Sequence, residues 1–93
     1  GLGKTHQAMA LIAAMMEEKE ILEKGKFLIV CPTSVIYHWQ DKLRAYLPSL
    51  PVHTFHGFRR SLNGFEKGIL LTTYGVARIE REKIKQISFE LAV

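Results

Sequence analysis

Two short runs of the kind found in buried strands constrain the fold of this chain more than any other feature. The first, "FLIVC", covers residues 27–31 and is apolar throughout, and the second, "ILLTT", covers residues 69–73 and ends in two threonines. A strand that is buried on both faces of a parallel sheet is apolar throughout, whereas a half-exposed strand alternates. Segments of helical periodicity stand before and between the two runs. This alternation predicts successive β-α-β units and an α/β fold in which helices flank a parallel sheet, in three α/β/α layers.

Two weaker strand signals extend the pattern. "VHTFH", residues 52–56, alternates apolar and polar side chains and precedes Gly57, and "FELAV", residues 89–93, resembles the start of another strand. Between them, "FRRSLNGFEKG" has no clear period and is predicted to be a loop with one helical turn.

Helical periodicity predicts three helices around these strands. The first runs from Thr5 to a C-cap at Gly25, the second begins at a cap formed by Thr33 or Ser34, and the third follows Gly75. The residues expected on their buried stripes are Ala8, Leu11, Ile12, Met15, Ile36, Trp39, Leu43, Leu47, Val76, Ile79 and Ile84.

Composition limits the chain to one small domain. It has 93 residues, 47% of them apolar, and a net charge of +4 that mildly favours a polyanionic partner. Its one cysteine, Cys31, lies within an apolar run, so we expect a buried core residue in a reducing compartment. No apolar stretch approaches the roughly 20 residues of a membrane span. We therefore expect a soluble, intracellular protein without a membrane partner.

The first five residues, "GLGKT", match the second half of a phosphate-binding loop, G-x-x-x-x-G-K-[ST]. In such a loop, backbone N–H groups surround the phosphates, the lysine neutralises them and the hydroxyl binds Mg²⁺. Lys4 and Thr5 are the candidates for these two roles. The alternative is that Gly1 and Gly3 form an ordinary loop and that Lys4 is a solvated lysine at a helix start.

Four segments in this order resemble the N-terminal RecA-like lobe of the Swi/Snf-type DNA-dependent ATPases, a branch of helicase superfamily two. They are "GLGKTHQAMALIAAM", "FLIVCPTSVIYHWQDKL", "VHTFHG" and "ILLTTYG". The family's phosphate loop typically ends in G-L-G-K-T, and Gln7 matches a glutamine that commonly follows. "CPTSVIYHW" is similar to C-P-x-S-x-x-x-x-W, and "TTYG" to T-T-Y-E, from which Gly75 departs.

The resemblance implies a function and a site. The parent would hydrolyse ATP with Mg²⁺ and use closure of a second RecA-like lobe to move along double-stranded DNA and remodel protein–DNA complexes. Its ATP contacts would be Gly1, Gly3, Lys4, Thr5 and Gln7, with Thr5 also binding Mg²⁺. Its contacts to the DNA backbone would be Pro32, Thr33, Ser34, Thr72, Thr73 and Tyr74.

The same resemblance predicts that residues 1–93 are a fragment. They would start inside the phosphate loop and stop before the acidic D-E-x-H box, so the catalytic carboxylates would be absent. We expect the isolated chain to lack ATPase activity, with residues 1 to 5 mobile or forming only a first helical turn. Because "FLIVC" or "ILLTT" would expose unpaired edges, we also expect self-association. The compartment would be the cytoplasm or nucleoid in a bacterium or archaeon and the nucleus in a eukaryote.

Two other functions remain open at this point. The chain could be part of a different P-loop NTPase, such as a nucleotide kinase, or a non-catalytic binding module. Trp39 is expected in the core rather than as a base-stacking platform. His53 and His56 have the spacing H-x-x-H, but an alternating strand would direct them apart, so we do not expect a metal site. Arg59 and Arg60 are interpreted as solvated, with DNA contact as the alternative.

Overall fold

Four parallel strands form one sheet in the computed structural model, which describes residues 2–57 and 60–92. In chain order they are β1 (Lys26–Cys31), β2 (Val52–Phe55), β3 (Gly68–Thr73) and β4 (Leu91–Ala92). Their spatial order is β2-β3-β1-β4. All four predicted strands are therefore confirmed. The expectation of unpaired edges is wrong for "ILLTT", because β3 pairs with β2 on one side and β1 on the other. In "FLIVC", β4 pairs only with Phe27 and Leu28.

The helices are shorter than the periodicity predicts. They are α1 (Leu2–Met15), α2 (Lys19–Lys24), α3 (Ile36–Tyr46), α4 (Tyr74–Ile79) and α5 (Arg81–Lys85). The prediction of a single first helix is wrong, because α1 and α2 are separate. The N–H groups of Glu17 and Glu18 donate to carbonyls three residues earlier, which tightens the last turn of α1 and ends it. The helix after β3 is likewise divided, at Glu80.

The helix boundaries near Gly25 and Thr33 test two cap predictions. Gly25 does end α2, with its N–H donating to Ile21 O at 2.7 Å, although its backbone is extended. The cap at Thr33 or Ser34 is wrong. These residues lie within a 3-10 turn, Thr33–Val35. Helix α3 begins at the next residue, Ile36, and its N-cap residue, Val35, makes no side-chain cap hydrogen bond.

The sheet separates two apolar clusters, which confirms the three-layer arrangement. One face carries side chains of α1 and α3 over alternate residues of β1 and β3, including Phe27, Ile29, Ile69 and Leu71. The other face carries α4 and α5 over the intervening residues. That second cluster contains Phe55, Leu70, Val76 and Ile84. Side chains of a strand alternate between faces, so each apolar run supplies both layers at once.

Two residues of the predicted stripes are not buried. Leu11 is 48% exposed and Ile79 is 71% exposed. Ile79 is the last residue of α4, and the turn at Glu80 restarts the chain as α5, so the spacing from Val76 to Ile84 is not that of one helix. Trp39 is half-buried and packs against the core, as expected.

At the amino ends of the strands, the backbones of neighbouring segments pack closely against one another. Gly68 donates its N–H to Gly25 O, and Ile69 donates to Pro51 O, both at 2.9 Å. Gly68 has a φ of 92°, and a Cβ there would collide with the Pro51 carbonyl. Only glycine fits this conformation and this space. None of the helices in the described ranges is long and apolar enough to cross a membrane.

Candidate functional site

Three strands of the sheet end side by side at their carboxyl ends. Cys31, the last residue of β1, is in register with Thr73, the last residue of β3, and Phe55 of β2 is in register with Thr72. In parallel α/β folds, ligands bind outside this edge of the sheet. The residues that follow the three strands therefore form a candidate site, which we call the carboxyl edge: Pro32–Ser34 after β1, His56 and Gly57 after β2, and Tyr74 and Gly75 after β3.

The segment after β1 presents its hydroxyl groups to solvent. Pro32, Thr33 and Ser34 are all exposed. Neither hydroxyl caps the helix that follows, because the 3-10 turn intervenes and is closed by the Val35 N–H donating to Pro32 O at 3.1 Å. Thr33 and Ser34 are thus accessible to solvent, and the structural role considered for them as caps does not apply.

Two of the threonines predicted to contact DNA are inside the protein. Thr72 is fully buried, and its Oγ1 donates to Phe55 O at 2.8 Å, which joins β3 to β2. Thr73 is 1% exposed, and its Oγ1 accepts the Val76 N–H at 3.3 Å as the N-cap of α4. These two side chains stabilise the ends of the strands through internal hydrogen bonds. The next residue, Tyr74, is 61% exposed.

Gly75 lies in open space. A Cβ at this position would meet no atom within 4 Å, and its φ is not positive. Nothing in the fold therefore requires glycine where the resembled motif has a glutamate.

The candidate phosphate-binding residues lie at the start of α1. Residues 1 to 5 are expected from the sequence to be mobile or to form a first helical turn. The backbone of Leu2–Thr5 does form the first turn of this helix, and Gly1 lies outside the described residues. The first four N–H groups of any helix have no partner within the helix, and the helix dipole is positive there. This donor set, with a lysine and a threonine in the same turn, fits a nucleotide phosphate and Mg²⁺. Gln7 is exposed on the next turn.

His53 and His56 contact different parts of the fold. His53 Nε2 is 2.6 Å from Ser61 O and its ring packs on Phe65, whereas the His56 ring meets Tyr37 of α3 edge-on at 6.4 Å. Across residues 2–57 and 60–92, no group of three or more His, Cys, Asp or Glu side chains could hold a metal ion.

The interpretation of Arg60 as a solvated arginine is wrong. Its guanidinium donates to Gly57 O at 3.0 Å and to Glu80 Oε1 at 3.1 Å, and the side chains of Arg60 and Glu80 are 21% and 16% exposed. Arg59 lies outside the described residues. Sequence reasoning missed Glu80, and the signal available for it was only a charged residue at a helix break.

Cys31 is buried at the end of β1, as expected, with its Sγ 3.6 Å from Thr72 O. Burial raises the pKa of the thiol above its ordinary value of 9.0. The protonated form is therefore favoured in the folded state, and the thiol is suited to packing rather than nucleophilic chemistry.

The fold and the carboxyl edge together define a class: an α/β lobe of RecA-like type, with helices on both faces of a parallel sheet and a helix-start phosphate motif. Sequence comparison is more specific. The sequence model of the SNF2-related domain family matches residues 1–93, and the chain belongs to this family.

Individual relatives agree with this assignment. The chain is 32% identical over 101 residues to the ATP-dependent helicase BRM of Arabidopsis thaliana, and 32% identical over 109 residues to the chromatin-remodeling ATPase INO80 of the same plant. All of this chain is covered in both cases, but only 4% and 7% of the relatives. A putative ATP-dependent helicase/translocase of Bacillus subtilis, YwqA, is 32% identical over 95 residues, covering 96% of this chain and 10% of YwqA. The chain thus spans a small part of the length of these relatives.

Proposed function

We propose that this chain is part of the N-terminal RecA-like lobe of an ATP-hydrolysing motor that moves on double-stranded DNA and remodels protein–DNA complexes. Membership of the SNF2-related domain family across all 93 residues supports the motor. The observation that carries the DNA contact is the register of Cys31 with Thr73, which brings the segments after β1 and β3 to one edge. The parent would then occupy the compartment that holds the DNA, which is the nucleus or the nucleoid.

ATP would be held at the start of α1. Gly1 and Gly3 allow close approach of the phosphates, the Lys4 ammonium neutralises them, and Gln7 stands one turn further along. The Thr5 hydroxyl would ligate Mg²⁺, which when bound neutralises charge that develops on the transferred phosphoryl group. The water-orienting carboxylates and the arginines of a second RecA-like lobe would complete the site, so the 93 residues alone are proposed to be inactive.

DNA would lie along the carboxyl edge. The hydroxyls of Thr33 and Ser34 and the exposed ring of Tyr74 are neutral groups that suit a phosphodiester backbone, while Pro32 shapes the turn that presents them. Thr72 and Thr73 belong to the same proposed contact region, where their buried hydroxyls fix the strand ends. Contacts of this kind position a protein on a duplex without reading its sequence.

Changing both Thr33 and Ser34 to alanine in the parent should weaken duplex binding about 5- to 150-fold, the loss expected for two neutral hydrogen bonds. The loss should be equal on unrelated sequences, and the salt dependence should stay the same because no charge is removed. Fluorescence anisotropy on several duplexes at several salt concentrations measures both. Ser49→Ala is the matched control, because Ser49 is equally exposed but precedes β2, at the opposite edge. Unchanged affinity, or a loss on one sequence only, would contradict the assignment.

We also propose that the isolated 93-residue chain associates with itself. Strand β4 pairs with β1 only at Phe27 and Leu28, so Ile29–Cys31 has a strand partner on one side alone among the described residues. Backbone groups left open beside a two-residue strand are a template for pairing with another chain.

Light scattering at micromolar concentration should therefore give a mass above 10.6 kDa, with a dimer as the smallest species. Titration with ATP should give no turnover and very weak binding. A monomer that binds ATP with micromolar affinity would contradict both halves of this proposal.

A further inference from the structure

The Arg60–Glu80 ion pair joins two segments that both lead away from the carboxyl edge. Arg60 bonds to Gly57 O, two residues beyond the end of β2, and to Glu80, directly beyond the end of α4. Helix α4 in turn begins at Tyr74, on the carboxyl edge. One guanidinium thus bridges the loop after β2 and the helix after β3, across 20 residues of sequence.

The surroundings of the pair make it more than a surface contact. Both side chains are about four-fifths buried or more, and Glu80 Oε2 has a second cation, Lys83 Nζ, at 3.4 Å. Gly57 has a φ of 96°, so the carbonyl that Arg60 holds belongs to a backbone turn that favours glycine. Breaking one partner of a largely buried pair leaves the other charge uncompensated, and this costs far more than loss of an exposed pair.

We propose that Arg60 is a positioning residue for DNA-stimulated ATP hydrolysis: it fixes the loop after β2 and helix α4 relative to each other so that the carboxyl edge keeps one shape. It does so without contacting DNA itself. This inference rests on the proposed function, since the edge it organises is the proposed DNA contact. If Arg60 instead contacted a DNA phosphate directly, removal of the Glu80 charge would leave DNA binding unchanged or strengthen it.

The test uses the full-length parent with Glu80→Gln, which keeps the size of the side chain and removes its charge. We expect the DNA concentration for half-maximal ATPase stimulation to rise about 3- to 10-fold, with basal hydrolysis and the salt dependence of DNA binding unchanged. Arg60→Lys should produce a similar rise, because a lysine cannot hold both acceptors in a fixed fork. The control is Glu82→Gln, whose carboxylate is 78% exposed and lies 3.8 Å from Arg81.

One further measurement separates positioning from direct binding. Glu80→Gln without DNA should speed amide hydrogen exchange in residues 74–80, while Glu82→Gln does not. If Glu80→Gln leaves DNA binding unchanged or strengthens it, or if Arg60→Lys behaves as the unaltered parent, Arg60 contacts DNA directly or has no role, and the inference fails. If the unaltered parent shows no stimulation by DNA, the proposed function fails, and the inference with it.

Discussion

Replacement of Lys4 by alanine in the full-length parent is expected to lower DNA-stimulated ATP hydrolysis by at least about 100-fold, the scale seen when one charge-stabilising group is removed from a reacting centre. Lys4 is the one residue of "GLGKT" that carries a positive charge. A lysine in the first turn opposes the helix dipole unless an anion is bound there, so its position favours a phosphate ligand. Alanine is a strong helix former, and the first turn of α1 should persist.

A coupled assay of phosphate release, with and without duplex DNA, measures the effect, and circular dichroism checks the fold. Lys19→Ala is the matched control because it removes the same charge from an exposed position in α2. It should retain full activity. Turnover near that of the unaltered parent in the Lys4 variant would remove the role assigned to this residue.

Truncation of Leu71 to alanine should have the largest effect on stability. Leu71 is fully buried in the central strand β3 and belongs to the cluster beneath α1 and α3. Removing a buried leucine side chain costs about 3 to 5 kcal/mol, because hydrophobic transfer is lost and a cavity remains. The whole free energy of unfolding of a small domain is about 5 to 15 kcal/mol, so much of it would disappear.

Urea unfolding of the 93-residue chain, followed by the fluorescence of its single tryptophan, measures this loss. All variants are compared at one protein concentration, because self-association adds to the apparent stability. Trp39 suits the purpose because it packs against the same cluster. The control is the identical substitution at Leu11, which is 48% exposed and should change the free energy of unfolding by less than about 1 kcal/mol. Similar losses at the two positions would contradict the burial described here.

The strands could be predicted because their signal is local. An apolar run such as residues 27–31 is stable only between two layers, and the strand signals alternate with helical segments, as in a parallel sheet. The helix interruptions could not be predicted in this way. Apolar spacing continues past Met16 and past Ile79. The helix predicted after Gly75 is divided by a turn at Glu80, whose carboxylate is held by an arginine 20 residues earlier. Periodicity within one segment carries no information about such a contact.

The candidate site shows the same division. Sequence order alone predicts that residues after β1 and β3 meet at one edge, and the register of Cys31 with Thr73 confirms their proximity. Which hydroxyls face outward depends on the local turn. The 3-10 turn exposes Thr33 and Ser34, whereas backbone partners draw the hydroxyls of Thr72 and Thr73 inward. The Thr72 partner, Phe55 O, belongs to the neighbouring strand β2, so the sequence around Thr72 carries no signal for it. The Thr73 partner is local, because Thr73 is the N-cap of α4.

The strand order also has a consequence for biosynthesis. β1 and β2 are made first, yet neither touches the other in the sheet; both pair with β3, whose residues leave the ribosome later. Until residue 73 is synthesised, the two earlier strands lack β3, the neighbour that both share in the described sheet. Non-local pairing of this kind slows folding and prolongs the exposure of aggregation-prone strand edges. The pairing surfaces of β1 and β2 therefore stay open until β3 emerges, and β3 closes both of them at once.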